Sequence, residues 1–260
     1  MADFTGRGVI VTGALGIYGT WIADAFARAG ARLCLTDRVG EALDARLREA
    51  GGAEGSFSHP AELTDDGGLR GLAEAVGRHW GAADVLVNNA GVYPSGFLLD
   101  LDAAEWDRIM DLNVRVPFLL TQLVAKQMIA AGRGGAVVNI SSGAAHRMRR
   151  SVVPYCLSKT ALDRLTKGYA LELAQFGIRV NAVEPGFAAG STASPLTDEH
   201  VRQTLAGIPL GRASGPDDAA AAVLFLCSPA ASYITGTSVA VDGGNSIGSL
   251  AVHQAKKTPL

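Results

Sequence analysis

Cysteine is scarce in this sequence. Its three copies, Cys34, Cys156 and Cys227, are odd in number, widely spaced and set among apolar neighbours. That pattern argues against disulfides and reads as structural thiols in a reducing, cytoplasmic compartment. The five histidines show no ligand spacing, so no metal site is expected. Charge of one sign is also lacking: charged residues make up 18% and the formal net charge is −2, which leaves no global bias toward nucleic acid. Long hydrophobic runs are missing too. The longest, Ala219 to Cys227, falls far short of the roughly 20 residues a helix needs to span a bilayer. Met1-Ala2-Asp3-Phe4 shows no basic segment followed by an apolar one, and no export signal is expected.

What is present is a chain of 260 residues that is 48% hydrophobic, with no linker, repeat or low-complexity segment. It can bury a sizeable core. Short β-branched runs alternate with helical patterns: Gly8 to Val11, Arg32 to Thr36, Val85 to Val87, Ala136 to Ile140, Ile178 to Val183 and Ser238 to Val241 read as strands, and Gly55 to His59 as a poor one. The alternation implies an α/β fold, a single doubly wound parallel sheet of Rossmann type with helices on both faces.

The first strand runs into Thr12-Gly13-Ala14-Leu15-Gly16-Ile17-Tyr18-Gly19 and then a helical pattern, Trp21 to Ala29, closed by Gly30. Strand, glycine turn and helix together suit a pyrophosphate, because glycines admit the backbone to the phosphates and a helix N-terminus offers free N–H groups. Asp37 ends the second strand 24 residues after Gly13. There a carboxylate can accept hydrogen bonds from the adenosine ribose and would repel a 2′-phosphate, which favours NAD over NADP; Arg38, next to it, complicates the choice.

A further cluster of chemistry lies in Tyr155-Cys156-Leu157-Ser158-Lys159, which opens a helical pattern running to about Phe176. Tyr155 and Lys159 are four apart and share a helical face. An ammonium beside a phenol favours the phenolate, and a pKa fall of two or three units costs only about 3 to 4 kcal/mol. Such a tyrosine can exchange a proton with a carbinol oxygen. Ser142 lies thirteen residues earlier, and Asn113 sits inside a long helical stretch, Ala103 to Ala131, where a solvent-facing asparagine is the commoner case. Phe187 to Arg212 has the length and polarity of a substrate lid.

These residues, with Asn88-Asn89-Ala90-Gly91 and Pro185-Gly186, resemble the short-chain dehydrogenase/reductase family in order and spacing, from Gly8 to about Gly244. The resemblance implies one dinucleotide-binding and catalytic domain over 1–244, an extension over 245–260, and hydride transfer between a nicotinamide coenzyme and a small alcohol or ketone. By the same resemblance Tyr155 is the general acid/base, Lys159 lowers its pKa and holds the nicotinamide ribose, Ser142 bonds the reacting oxygen, and Asn113 positions a relay water. The coenzyme would meet Gly13, Gly16, Ile17, Tyr18, Gly19, Asp37, Glu62, Leu63, Asn89, Ala90, Gly91, Pro185 and Gly186 as well. Tyr93, Ala144, His146 and Phe187 are candidates for the substrate pocket, and the basic loop His146, Arg147, Arg149, Arg150 is a candidate anion site.

Two departures from the family pattern stand out. The glycines follow T-G-x-x-G-x-x-G, with Ile17 where a middle glycine is usual, so Tyr18 is expected to crowd the nicotinamide side. Gly190 occupies the place of a threonine that would hold the carboxamide, a task Ser191 or Thr192 could take. The reading is an NAD-dependent dehydrogenase of a secondary alcohol such as a polyol, sugar or cyclic alcohol, assembled as a homotetramer or homodimer through the two long helices. The alternatives are an NADPH-dependent 3-oxoacyl-type ketoreductase and a catalytically silent nucleotide-binding relative.

Overall fold

A computed structural model describes residues 2–190 and 197–250. All seven expected strands form, and all pair in parallel: β1 (Gly8–Thr12), β2 (Arg32–Thr36), β3 (Phe57–Ser58), β4 (Val85–Asn88), β5 (Gly135–Ile140), β6 (Ile178–Pro185) and β7 (Ser238–Val241) lie in the order β3-β2-β1-β4-β5-β6-β7. β3 is only two residues long, in keeping with the poor strand composition around it.

The strands are apolar at nearly every position because both faces are covered. Side chains alternate across the sheet. Val9, Val11, Leu33 and Leu35 pack with Ile22 and Phe26 of α1 (Ile17–Arg28) and Val223 and Leu226 of α8 (Asp218–Cys227). Ile10, Leu86 and Val137 face the other way, against Leu72 and Val76 of α3 (Asp66–Trp80) and Leu120 and Val124 of α5 (Val116–Ala130). Two cores thus clamp one sheet. Cys227 and Cys34 are buried free thiols in these two cores, and Cys156 is a buried free thiol in a small cluster with Ala144 and Val152.

α2 (Gly40–Ala50) ends at Gly51 in the left-handed region, φ 68°. Asp65 caps α3 by accepting from the Gly68 N–H at 2.9 Å. The stretch expected as one helix from Ala103 is interrupted: α4 (Ala103–Met110) passes through a π turn, Asp111–Arg115, before α5 begins. A π turn inserts one residue into the ladder and marks functional sites often; here it carries Asn113. α6 (Val153–Leu173) starts two residues before Tyr155. The expected lid contains a helix, α7 (Asp198–Ala206), capped by Thr197. Ser191 and Thr192 of the lid, and His253, Lys256 and Lys257 of the extension, lie outside the described residues. Among the described residues no helix is long and apolar enough to cross a membrane, and no cluster of metal-ligating side chains occurs.

Strand order reverses between β1 and β4, which opens a crevice at the carboxyl ends of the strands. Thr12-Gly13, Asp37, Asn88-Asn89, Ser141-Ser142 and Pro185-Gly186 all sit on that edge.

Candidate active site

The glycine turn is built by close approach. Gly13 has φ +61°, and a Cβ there would lie 2.8 Å from Ala90 Cα; at Gly19 it would lie 2.1 Å from the Gly13 carbonyl oxygen. At Gly16 the nearest atom would be 3.4 Å away. Two of the three glycines are therefore required by close packing, Gly13 against the loop after β4 and Gly19 against the turn's own backbone and Asn89, and the third is a helix cap. Asn89 locks the contact: its Nδ2 donates to the Thr12 and Gly13 carbonyls, both at 2.9 Å, while the Asn89 and Ala90 N–H groups donate to Thr12 Oγ1, again at 2.9 Å. Gly16 caps α1 without any side-chain hydrogen bond, so the first-turn N–H groups keep their ligand-binding capacity.

Asp37 accepts from the Leu15 N–H at 3.2 Å and from the Arg38 N–H at 2.8 Å. Its carboxylate is thereby held beside the turn. Glu62 is exposed and folds back on Thr64 Oγ1 at 2.7 Å, a bond that holds its carboxyl below the usual range. Leu63 is buried in the second core, so only its main chain faces the crevice edge. Tyr18 is turned toward the Pro185-Gly186 loop: its hydroxyl donates to the Gly186 carbonyl at 3.0 Å and its ring packs edge-on against Trp21.

Tyr155 and Lys159 share a face of α6 as expected, with Lys159 Nζ 5.6 Å from the centre of the Tyr155 ring. The electrostatics differ from the expectation. Lys159 is buried and donates to the Ile140 carbonyl at 2.8 Å, making no hydrogen bond to the phenol hydroxyl. Burial pushes the Tyr155 phenol up to about 12, opposed by a hydrogen bond to Ser142 and by the charge of Arg149. Burial likewise lowers Lys159 to about 8. In this arrangement Tyr155 is a neutral acid at neutral pH, and lowering its pKa requires further positive charge in the pocket.

The Lys159 shift has a consequence for stability. A folded-state pKa below the unfolded value near 10.5 means that between about pH 8 and 10.5 the unfolded chain binds more protons, so folding becomes more favourable as pH rises through that window. Thermal melts of wild type and Lys159→Met across pH 7 to 10.5 are expected to show the wild type gaining on the variant as pH increases; a constant difference would contradict a strained buried ammonium.

Ser142, not Ser141, is the serine that acts on Tyr155, where it opposes the rise of the phenol: Ser141 Oγ is buried without a hydrogen-bond partner among the described residues, whereas Ser142 caps the 3-10 turn Gly143–Ala145 by accepting from the Ala144 N–H at 3.2 Å. Asn113 is fully buried, the reverse of a solvent-facing asparagine. Its side chain pairs with both main-chain groups of Val92, at 2.9 and 3.0 Å, and donates to Ser158 Oγ at 3.0 Å. Ser158 in turn donates to the Tyr155 carbonyl at 2.7 Å. From the sequence Ser158 has no role and Arg149 enters only as part of the basic loop, since a helical serine and a loop arginine carry no spacing that ties them to Tyr155. A Cβ on Gly91 would stand 3.1 Å from Asn113 Oδ1 and 3.8 Å from Lys159 Nζ; the glycine keeps the space between those two polar atoms free.

Among the substrate candidates, Tyr93 stacks edge-on to Tyr155 with ring centres 4.6 Å apart. Ala144 is buried beneath Tyr155 with Val152 and Cys156. Phe187 lines a cavity of about 460 Å³ with Gly186, Ile208, Leu210 and Asp242. The basic loop does not converge on an anion site: His146 bonds Glu184 at 2.7 Å, Arg147 reaches the Asn245 carbonyl, and Arg150 covers the Phe97 ring.

Known proteins resemble the chain along most of its length. A family model described as enoyl-(acyl carrier protein) reductase matches residues 13–246. A 3-oxoacyl-[acyl-carrier-protein] reductase of Thermotoga maritima is 35% identical over 92% of this chain and 97% of its own. A sorbitol dehydrogenase of Cereibacter sphaeroides is 34% identical, again over 92% and 97%. The crystal structure of a putative NAD(P)-dependent gluconate 5-dehydrogenase from Beutenbergia cavernae, with bound NADP at low occupancy, is 32% identical with a TM-score of 0.86, over 95% of this chain and 99% of that one.

Proposed function

From the premise that the chain belongs to the short-chain dehydrogenase/reductase family and is an oxidoreductase, we propose that it is an NAD-dependent dehydrogenase of a secondary alcohol, of polyol, sugar or cyclic type. The observation that carries the reading is the buried Lys159 Nζ standing 5.6 Å from the centre of the Tyr155 ring, with Ser142 acting on the same phenol. Sorbitol dehydrogenase among the relatives supports the substrate class.

The glycine cradle and the uncapped first turn of α1 fit a pyrophosphate, and Asp37 at the end of β2 fits an adenosine ribose. Lys159 has two ammonium hydrogens beyond its bond to Ile140 for the nicotinamide ribose. Bound there, the nicotinamide supplies or accepts the hydride, and its oxidised ring adds positive charge that favours the phenolate. In reduction Tyr155 gives its proton to the carbonyl oxygen; in oxidation it removes the proton of the alcohol. Ser142 holds that oxygen, and the gap beside Gly91, between Asn113 Oδ1 and Lys159 Nζ, is the place for a relay water. Tyr93 packs against the Tyr155 ring, and Phe187 lines the cavity with Ile208 and Leu210, just after α7.

Coenzyme choice rests on Asp37. Titration of the purified protein with NADH and NADPH is expected to show at least tenfold tighter binding of NADH, and Asp37→Ser is expected to erase that preference, because the carboxylate both accepts ribose hydrogen bonds and repels a 2′-phosphate. Preference of the wild type for NADPH would move the reading to a ketoreductase, the activity named for the Thermotoga relative; binding of neither would favour a silent relative. Assembly into a homodimer or homotetramer is supported by exposed apolar side chains, Trp106 on α4, Phe118 on α5, Leu171 on α6 and Phe176 in the 3-10 turn Ala174–Phe176 that follows it. Sedimentation showing only monomer would exclude it.

A further inference from the structure

One buried charge near the site is not used by the chemistry above. Glu184, at the end of β6 immediately before Pro185-Gly186, has a side chain only 3% exposed. Among the described residues one side chain hydrogen-bonds its carboxylate: His146, Nε2 to Oε1 at 2.7 Å. A buried carboxylate needs such a partner, and removing one member of a buried pair is costly because the other is left uncompensated.

The pair joins the two walls of the crevice. His146 is the C-terminal cap of the short 3-10 turn whose N-terminal cap is Ser142. That turn is held from α6 by Thr160 Oγ1, which donates to the Ala145 carbonyl at 2.8 Å. It is held from β6 at both ends: at its entry the Ser141 N–H, one residue before the Ser142 cap, donates to the Val183 carbonyl at 2.8 Å, and at its exit the side chain of His146 meets Glu184. The turn that aims Ser142 is therefore tied by a main-chain bond at its entry, by Thr160 at Ala145, and at its exit by the one charge-assisted side-chain contact to the strand that delivers Pro185-Gly186. The imidazole is itself 55% exposed, so its burial in apolar packing does not anchor the turn; its bond to Glu184 does.

We propose that His146, held by Glu184, is a positioning residue that fixes the Ser142 turn for hydride transfer. The proposal rests on the dehydrogenase reading above. It replaces the expectation that His146 contacts substrate or an anion.

The test is steady-state kinetics of wild type, His146→Ala, His146→Gln, Glu184→Gln and Tyr155→Phe with the best alcohol found, alongside NADH binding. His146→Ala is expected to lower kcat ten- to hundredfold, the scale of an ångström-sized misplacement, with coenzyme KM and NADH affinity changed less than about twofold. His146→Gln, whose amide can still donate to Glu184, is expected to restore kcat to within about threefold of wild type. Glu184→Gln, nearly equal in volume, keeps the proposal testable if His146→Ala does not fold, and is expected to lower kcat without altering NADH affinity. Wild-type kcat in His146→Ala or, should that variant not fold, in Glu184→Gln would overturn the proposal, as would a His146→Gln variant as impaired as the alanine. In either case Tyr155→Phe would still be inactive and the dehydrogenase reading would stand. A Tyr155→Phe variant as active as wild type, or NADH binding with no turnover in wild type, would instead sink the dehydrogenase reading and this role with it.

Discussion

Replacing Tyr155 by phenylalanine is expected to lower kcat about a thousandfold, the usual weight of a positioned general acid or base, while NADH affinity changes by less than about threefold. The substitution removes one oxygen. The ring remains stacked against Tyr93, and α6, which carries Lys159, loses no backbone bond, because Ser158 bonds the Tyr155 carbonyl and not the phenol. The loss is therefore of proton transfer and of the phenol on which Ser142 acts. Full activity in the phenylalanine variant would remove Tyr155 from the mechanism. The partner substitution Ser142→Ala leaves the phenol in place and isolates the orienting role of the serine.

Gly19→Ala is expected to abolish measurable NADH binding and to lower the melting temperature by several degrees, whereas Gly16→Ala is expected to change either property little. The difference is geometric. A methyl at position 19 would meet the Gly13 carbonyl at 2.1 Å, Asn89 Nδ2 at 2.8 Å and Ala14 Cα at 2.9 Å, and two of those three are backbone that cannot step aside. Overpacking of this kind costs about 1–3 kcal/mol, and the relaxation would separate the turn from Asn89, whose side chain bonds Thr12 and Gly13. At position 16 a methyl would meet one atom at ordinary contact distance. NADH titration and thermal melts of both variants check this; equal behaviour of the two would mean that the turn does not form the phosphate cradle.

The strand pattern was legible because each strand is buried on both faces, which writes itself as short β-branched runs, and the glycine turn and Asp37 were legible because they end such runs. The weak β3 was legible only as a weakness. The interruption at Asp111–Arg115 was not, since a π turn leaves the apolar period of the flanking helix almost unchanged over so few residues. Burial of Asn113 was missed for a related reason: its partners, Val92 and Ser158, are 21 and 45 residues away, and no local pattern announces them.

By itself the sequence determined the parallel α/β sheet, the crevice edge on which the polar residues gather, and the face shared by Tyr155 and Lys159, since periodicity and spacing act along the chain. Tertiary structure alone decided the charge state in which those residues sit and the neighbours that hold them. Burial raises the phenol and lowers the ammonium, and it ties Glu184 to His146 across 38 residues. Desolvation and such contacts depend on what the whole fold packs around a group, which no stretch of sequence contains.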